Sequence, residues 1–187
     1  MKNNSNAPGA TFIETQEKVL ARLQEKYASR KIETDALEEP IIWAKNPEDV
    51  KVLIRSFMID PNTKIDYLSD LTAYDNYDGE DGDKRFVLVY QMYSLELHTR
   101  IRIKCLVDED EALTITDIFA GANWLEREVY DMYGIKFKGH PNLRRILMDE
   151  RFTGFPLRKE YNIKQREPFN DNIAHQGLET LMNEEKK

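Results

Sequence analysis

The residues best equipped for chemistry lie within Asn123–Tyr161, NWLEREVYDMYGIKFKGHPNLRRILMDERFTGFPLRKEY. Glu126, Arg127, Glu128 and Asp131 come first, followed by His140, Arg144, Arg145 and Arg158. On a helix from about Ala122 to Tyr133, Leu125, Val129, Met132 and Tyr133 share one face. Arg127, Glu128 and Asp131 share another, because positions one and four apart are neighbours on a helix. Three readings of that polar face compete. Glu128 and Asp131 would suit the general acid and base of a glycosidase. They would also suit a di-metal centre, but the Glu-x-x-His pattern of such helices is absent and His140 is the only histidine nearby. Neither chemistry finds a glycine cradle, a nucleophile or a complementary ligand set here. In the third reading these charges meet a partner's charges across an interface, with a solvated helix face as the plain alternative. Arg127 and Asp131 are spaced to pair with each other, and Gly134 suits the left-handed position just past a helix end.

The segment behind this helix weighs on that choice. Residues 136–166 hold nine Lys or Arg against three Asp or Glu, an excess of +6, so the remainder of a chain of net charge −7 carries −13. Gly139, Pro141, Gly154 and Pro156 rule out a long helix or a central strand. Yet Phe137, Leu143, Ile146, Leu147, Phe152, Phe155, Leu157 and Tyr161 make it far more apolar than a disordered tail. An irregular segment this apolar must lie on something. Part of it covers its own sheet, and the rest suits a partner surface, with Arg144, Arg145 and Arg158 reaching carboxylates. Single-stranded nucleic acid is the other partner that basic residues interleaved with aromatics would fit. The acidic remainder and the acid-rich helix directly before the arm speak against it.

These residues need a platform, and 187 residues are enough for one domain with a real core plus tails. A single cysteine, Cys105, excludes an internal disulfide framework and fits a reducing compartment. The polar start MKNNSNAPGA lacks a signal-peptide core, and no apolar run approaches the roughly 20 residues that span a bilayer. Residues 1–10 read as a disordered lead-in. Thr11 and Glu14 form a capping box ahead of an amphipathic helix over about 12–28. Ile41–Ala44 reads as a buried strand, and Asn46-Pro47 opens a second helix over about 47–58. Ile65–Tyr74 and Arg85–Tyr93 read as strands, separated by an acidic, glycine-containing loop at 76–83. That loop lacks EF-hand spacing and reads as a solvated hairpin turn rather than a calcium site. Leu95–Val107 alternates most clearly, with Leu97 and Cys105 on its buried face and His98 on its wet face. The succession predicts an α+β fold in two layers: a mixed, mostly antiparallel sheet with helices packed on one face, plus an extended C-terminal arm. By residue, this gives a domain over 11–135, a basic docking arm over 136–168 and a tail over 169–187. Leu178, Leu181 and Met182 in the tail are near helical spacing.

The ordered run Glu126-Arg-Glu128, Asp131, Gly134, Gly139-His140-Pro141, Arg144-Arg145-Ile-Leu147 and Pro156-Leu157-Arg158-Lys-Glu-Tyr161 resembles one family. It is similar to the signature of the C-type, or 30-kDa-type, subunit of the proton-pumping NADH:quinone oxidoreductase, respiratory complex I. The likeness covers roughly residues 40–165, and Tyr133, where an aliphatic residue or Phe is frequent, is a mild departure. The resemblance implies a non-catalytic subunit of the peripheral arm, on the cytoplasmic side of a bacterial cell membrane. It also implies packing chiefly against the D-type subunit, the neighbour to which several members of the family are fused. It implies no flavin, iron–sulfur cluster, quinone or metal in this chain; FMN, clusters and quinone belong to the complex. One cysteine cannot hold a cluster that takes four, and no glycine-rich dinucleotide fingerprint is present. The equivalent subunit of a complex-I-like membrane-bound hydrogenase is the related alternative. On this reading Glu126, Arg127, Glu128, Asp131, Gly134, His140, Pro141, Arg144, Arg145, Pro156, Leu157 and Arg158 form the partner interface. Reversing Arg144 and Arg145 together is then expected to release the chain while sparing its fold.

Overall fold

The computed structural model describes residues 8–149, 151–162 and 164, with side chains from Glu14 onward. Eight elements follow in order: α1 (Pro8–Lys26), β1 (Ile32–Thr34), β2 (Pro40–Trp43), α2 (Pro47–Ile59), β3 (Tyr67–Asp75), β4 (Phe86–Ser94), β5 (Thr99–Val107) and α3 (Ala122–Tyr133). The strands form one sheet in the order β1-β2-β5-β4-β3, in which only β2 and β5 run parallel. The expected α+β class and mixed, mostly antiparallel sheet are therefore the observed ones.

Alternation decides which face each side chain takes. Ile101, Ile103, Cys105 and Val107 of β5 and Phe86, Leu88, Tyr90 and Met92 of β4 point to one side. There they meet Val19 and Leu23 of α1, Val50, Leu53, Ile54 and Phe57 of α2, and Val129 and Tyr133 of α3. All three helices thus cover the same face. The opposite face keeps a small apolar cluster of Trp43, Val87 and Val89. Lysine stems roof it: the Lys31 and Lys104 ammonium groups stand 4.7 and 5.1 Å from the Trp43 ring centre, and Lys104 is also 5.4 Å from Tyr74. Cys105 lies wholly inside, where burial pushes its thiol up to about 12, so it acts as a small hydrophobe.

Local chemistry explains the boundaries. Helix α2 starts where Asn46 Oδ1 accepts the Asp49 N–H at 2.8 Å and Pro47 follows at the first helical position. Arg30 binds Asp49 in turn with both guanidinium nitrogens, and Tyr27 stacks edge-on against Phe57, tying the end of α1 to α2. The acidic loop between β3 and β4 is organised by Asn76, whose amide donates to the Gly82 and Lys84 carbonyls and accepts the Asp81 N–H. It is a hairpin connection, as expected.

Three boundaries differ from expectation. Helix α1 begins at Pro8, whose fixed φ suits a first helical position, so Thr11 lies inside the helix and is not its cap. The lead-in therefore stops short of residue 10, and residues 1–7 lie outside the described residues. Strand β5 starts at Thr99: residues 95–98 are a turn closed by the Leu97 N–H on Ser94 Oγ, with His98 at φ 53°. Leu97 and His98 accordingly leave the alternation. Strand β1 was not anticipated at all; its three residues offer no period to read. The helical spacing at 178–182 also lies outside the described residues.

Because Ile103 is fully enclosed on the central strand, Ile103→Ala should cost about 2–5 kcal/mol in chemical denaturation. Leu37→Ala, at a largely exposed position, should stay within about 0.5 kcal/mol.

Candidate functional site

Helix α3 ends at Gly134, which sits at φ 80° and returns its N–H to the Tyr130 carbonyl. The expected helix and its left-handed stop are both present. A Cβ at Gly134 would lie 2.5 Å from an Arg158 nitrogen and 2.6 Å from the Phe155 ring, so glycine is required for packing as well as for φ. The chain then turns back beside residues 109–114. The Lys136 N–H donates to the Glu109 carbonyl, Lys138 N–H to the Ala112 carbonyl, and Thr114 N–H to the Lys138 carbonyl. Ile135 and Phe137 are buried by this pairing.

The helix charges point inward. Asp131 is fully enclosed, and its Oδ2 accepts three successive backbone N–H groups, from Ile146 at 3.0 Å and from Leu147 and Met148 at 2.8 Å. Its Oδ1 takes the Arg145 guanidinium at 2.6 Å. Burial alone would raise this carboxyl, but the three amides and Arg145 outweigh it and hold it below its ordinary 3.8. Arg127 does not pair with Asp131. Its guanidinium instead donates to the Arg144 and Arg145 carbonyls at 3.1 and 3.2 Å and lies 5.2 Å from the Trp124 ring centre. Arg158 donates to the Tyr133 carbonyl at 2.7 Å, pairs with Glu109 at 2.8 Å and stacks 4.5 Å from Phe155. The Leu157 N–H reaches the Met132 carbonyl. The carbonyls that end a helix normally lack partners; here residues 145–158 supply several of them.

The other end of α3 is held by His140. Its Nε2 is 3.1 Å from the Asn123 carbonyl, and its Nδ1 accepts the Asn142 N–H at 3.0 Å, which fits the tautomer with hydrogen on Nε2. Glu126 is also fully enclosed. Its Oε1 accepts the Ile115 N–H at 2.7 Å, while Oε2 has no hydrogen-bond partner and faces His140 Nε2 at 4.0 Å. Burial pushes its carboxyl up to about 7, opposed only in part by the Ile115 N–H and the Thr114 hydroxyl.

The expected polar face is thus divided. Glu126, Arg127 and Asp131 are buried against the chain's own segments, and Glu128 is exposed. Glu128 and Asp131 do not share a cleft: Glu128 is exposed, while Asp131 is enclosed and engaged by Arg145 and three backbone amides. No group of three or more His, Cys, Asp or Glu able to hold a metal ion occurs among the described residues. Pro141, Arg144 and Leu157 face outward, Pro156 is half-buried, and Arg145 and Arg158 turn inward. Arg145 therefore cannot be reversed without harm: a glutamate there would face the Asp131 carboxylate. The double reversal expected to spare the fold would unlatch the arm. Sequence reasoning passed over Trp124, which is 62% exposed; its signal was an aromatic off the apolar face of an amphipathic helix.

Two measurements test this arrangement. Asp131→Ala should abolish hydrogen-exchange protection at Ile146, Leu147 and Met148 and cost about 3–5 kcal/mol, because Arg145 and three amides lose their acceptor. For Glu126 the folded value near 7 exceeds the ordinary 4.5, so its stabilising contribution is full below pH 4.5 and is lost as pH rises through 7. Denaturation across that range should show Glu126→Gln gaining on the wild type as pH rises, by up to about 3 kcal/mol.

Residues 44–167 match the family described as respiratory-chain NADH dehydrogenase, 30 Kd subunit. The C subunit of the NADH-quinone oxidoreductase of Geotalea uraniireducens (strain Rf4) is 37% identical over 161 residues, spanning 84% of this chain and 95% of that protein. The C/D subunit of the NADH-quinone oxidoreductase of Acinetobacter baylyi is 38% identical over 157 residues, spanning 79% of this chain and 26% of that longer protein. In fold, the chain is similar to one from the membrane-bound sulfane sulfur reductase, an archaeal respiratory membrane complex. The TM-score is 0.59 at 22% identity, covering 79% of this chain and 85% of that one. The family match spans α2, strands β3 to β5, the last helix and the latched arm together, and the chain belongs to the family of the 30 Kd subunit of the respiratory-chain NADH dehydrogenase.

Proposed function

We propose that this chain is a structural and assembly subunit in the peripheral arm of an NADH:quinone oxidoreductase. In this role it docks on the D-type subunit of that complex and carries none of the redox chemistry. FMN, iron–sulfur clusters and quinone are held by other subunits, and electrons pass from NADH to quinone there, coupled to proton translocation. The observation that carries this reading is the use made of the charges on α3. The carboxylates with the residue types for chemistry, Glu126 and Asp131, are enclosed and engaged in holding the chain's own backbone. What the arm leaves outside is Arg144 with Leu147 and Leu157, two large apolar side chains 62% and 51% exposed. A cation beside exposed aliphatics is the make-up of an interface rather than of a cleft.

The choice of the D-type neighbour draws support from the Acinetobacter relative, whose name joins C and D in one polypeptide. The place of the subunit is the cytoplasmic side of the membrane, as a peripheral component. Among the described residues no helix is long and apolar enough to cross a bilayer.

Arg144→Glu alone tests this reading, because its side chain faces outward and the latch uses only its carbonyl. The variant should melt like the wild type while its retention in the purified complex falls at least about tenfold in a salt wash. Normal retention of the variant, with electron transfer from NADH to quinone intact, would falsify the docking role.

A further inference from the structure

An exposed tryptophan is costly to leave in water, and Trp124 is fixed there with some care. It lies on the outer side of α3, 62% exposed. Its ring is backed by the Arg127 guanidinium 5.2 Å away, and that guanidinium is itself pinned by the Arg144 and Arg145 carbonyls. A cation over the face of the ring restrains it before any partner arrives. Arg144, whose carbonyl shares in that pinning, keeps its side chain exposed with no ion-pair partner among the described residues. One turn beyond Arg127 on α3, Asp131 holds the Leu147 backbone and leaves its side chain outside. Glu128, four residues after Trp124, is exposed on the same helix.

The other exposed apolar ridge differs. Val52 and Ile59 project from α2, but the cations beside them, Lys51 and Arg55, are both taken by Asp117 at 2.8 and 3.0 Å. The cations that flank this ridge are thus already engaged within the chain. On α3 and the arm latched to it, an exposed aromatic, a cation without an ion pair among the described residues and an exposed aliphatic are all tied to one helix by hydrogen bonds.

We infer that Trp124 is the anchor of the docking surface and inserts into an apolar pocket of the D-type subunit, whose rim carries a carboxylate opposite Arg144. This rests on the docking reading above and adds to it the residue at the centre of the contact and the chemistry of the surface it enters. Centrally placed Trp and Arg side chains carry most of the energy of such contacts. A carboxylate facing Arg144 and a pocket for the indole would together set the angle of approach.

The test uses the full chain co-expressed with the remaining subunits and the complex isolated from membranes. Trp124→Ala should weaken retention by about thirtyfold, with Trp124→Phe recovering most of it and Val52→Ala matching the wild type. Replacing Trp124 with the photoreactive residue p-benzoylphenylalanine and irradiating the membranes should give a cross-link to the D-type subunit. Retention of Trp124→Ala within about threefold of the wild type, or a cross-link to another member of the complex, overturns the anchor. If Trp124→Ala is retained while Arg144→Glu is released, the anchor fails and the docking reading stands. If both are retained, both ideas fall. Unchanged melting of Trp124→Ala and Trp124→Phe separates lost docking from lost folding.

Discussion

The Asp131 carboxylate fixes the path of the segment that follows α3. Three consecutive amides, from Ile146, Leu147 and Met148, converge on one oxygen, and a guanidinium closes on the other. Successive backbone N–H groups turned to one point make an anion-binding concavity, and here the anion is a side chain of the same polypeptide. A segment with glycines and prolines at four places has no ladder of its own to satisfy its backbone. By accepting three of its amides, Asp131 gives residues 146–148 a fixed path across α3. Arg127 then binds the two carbonyls just before that path, so donors and acceptors of residues 144–148 are both met from one helix.

The exchange runs in both directions. Arg145 and Arg158 bring positive charge to the carbonyl end of α3, where the helix dipole favours cations, and Leu157 supplies a further N–H. Helix and arm thus complete each other, and neither is a finished hydrogen-bonding unit alone. This changes the meaning of the arm's positive charge. Lys136 pairs with Asp110, Arg145 with Asp131, and Arg158 with Glu109, so several of the nine basic residues are engaged within the chain. The basic character that first suggests a charged partner is partly internal wiring, while the Arg144 guanidinium faces outward without an ion pair among the described residues.

The platform was legible because its signals are periodic. The alternation in β5, the stripe in α2 behind its Asn-Pro start, and the Gly134 stop each depend on residues a few places apart. The site was legible as a list and misread as a geometry. Glu126 and Asp131 stand out in the sequence by type, yet spacing on a helix shows which residues are neighbours, not which side is later covered by a segment lacking regular structure. Only the tertiary fold shows that residues 144–148 lie over Asp131, and so the pairing expected between Arg127 and Asp131 gave way to contacts fourteen or more residues apart. Pro8, Thr11 and His98 show the smaller version of the same limit. A capping pattern and an alternation were both present, and a proline and a positive φ overrode them.

The strand order also sets a timetable. Within the sheet β2 pairs with β1 and β5, and β5 is the last strand among the described residues although it lies at the middle of the sheet. On a ribosome, the β1–β2 ribbon and the β3–β4 hairpin therefore wait as two separate pieces until residue 107 has emerged. Their joining closes a long loop, the slow kind of step in sheet formation. Helix α3 and the arm are synthesised after that, so the latch around Asp131 forms on a sheet whose strands are all available.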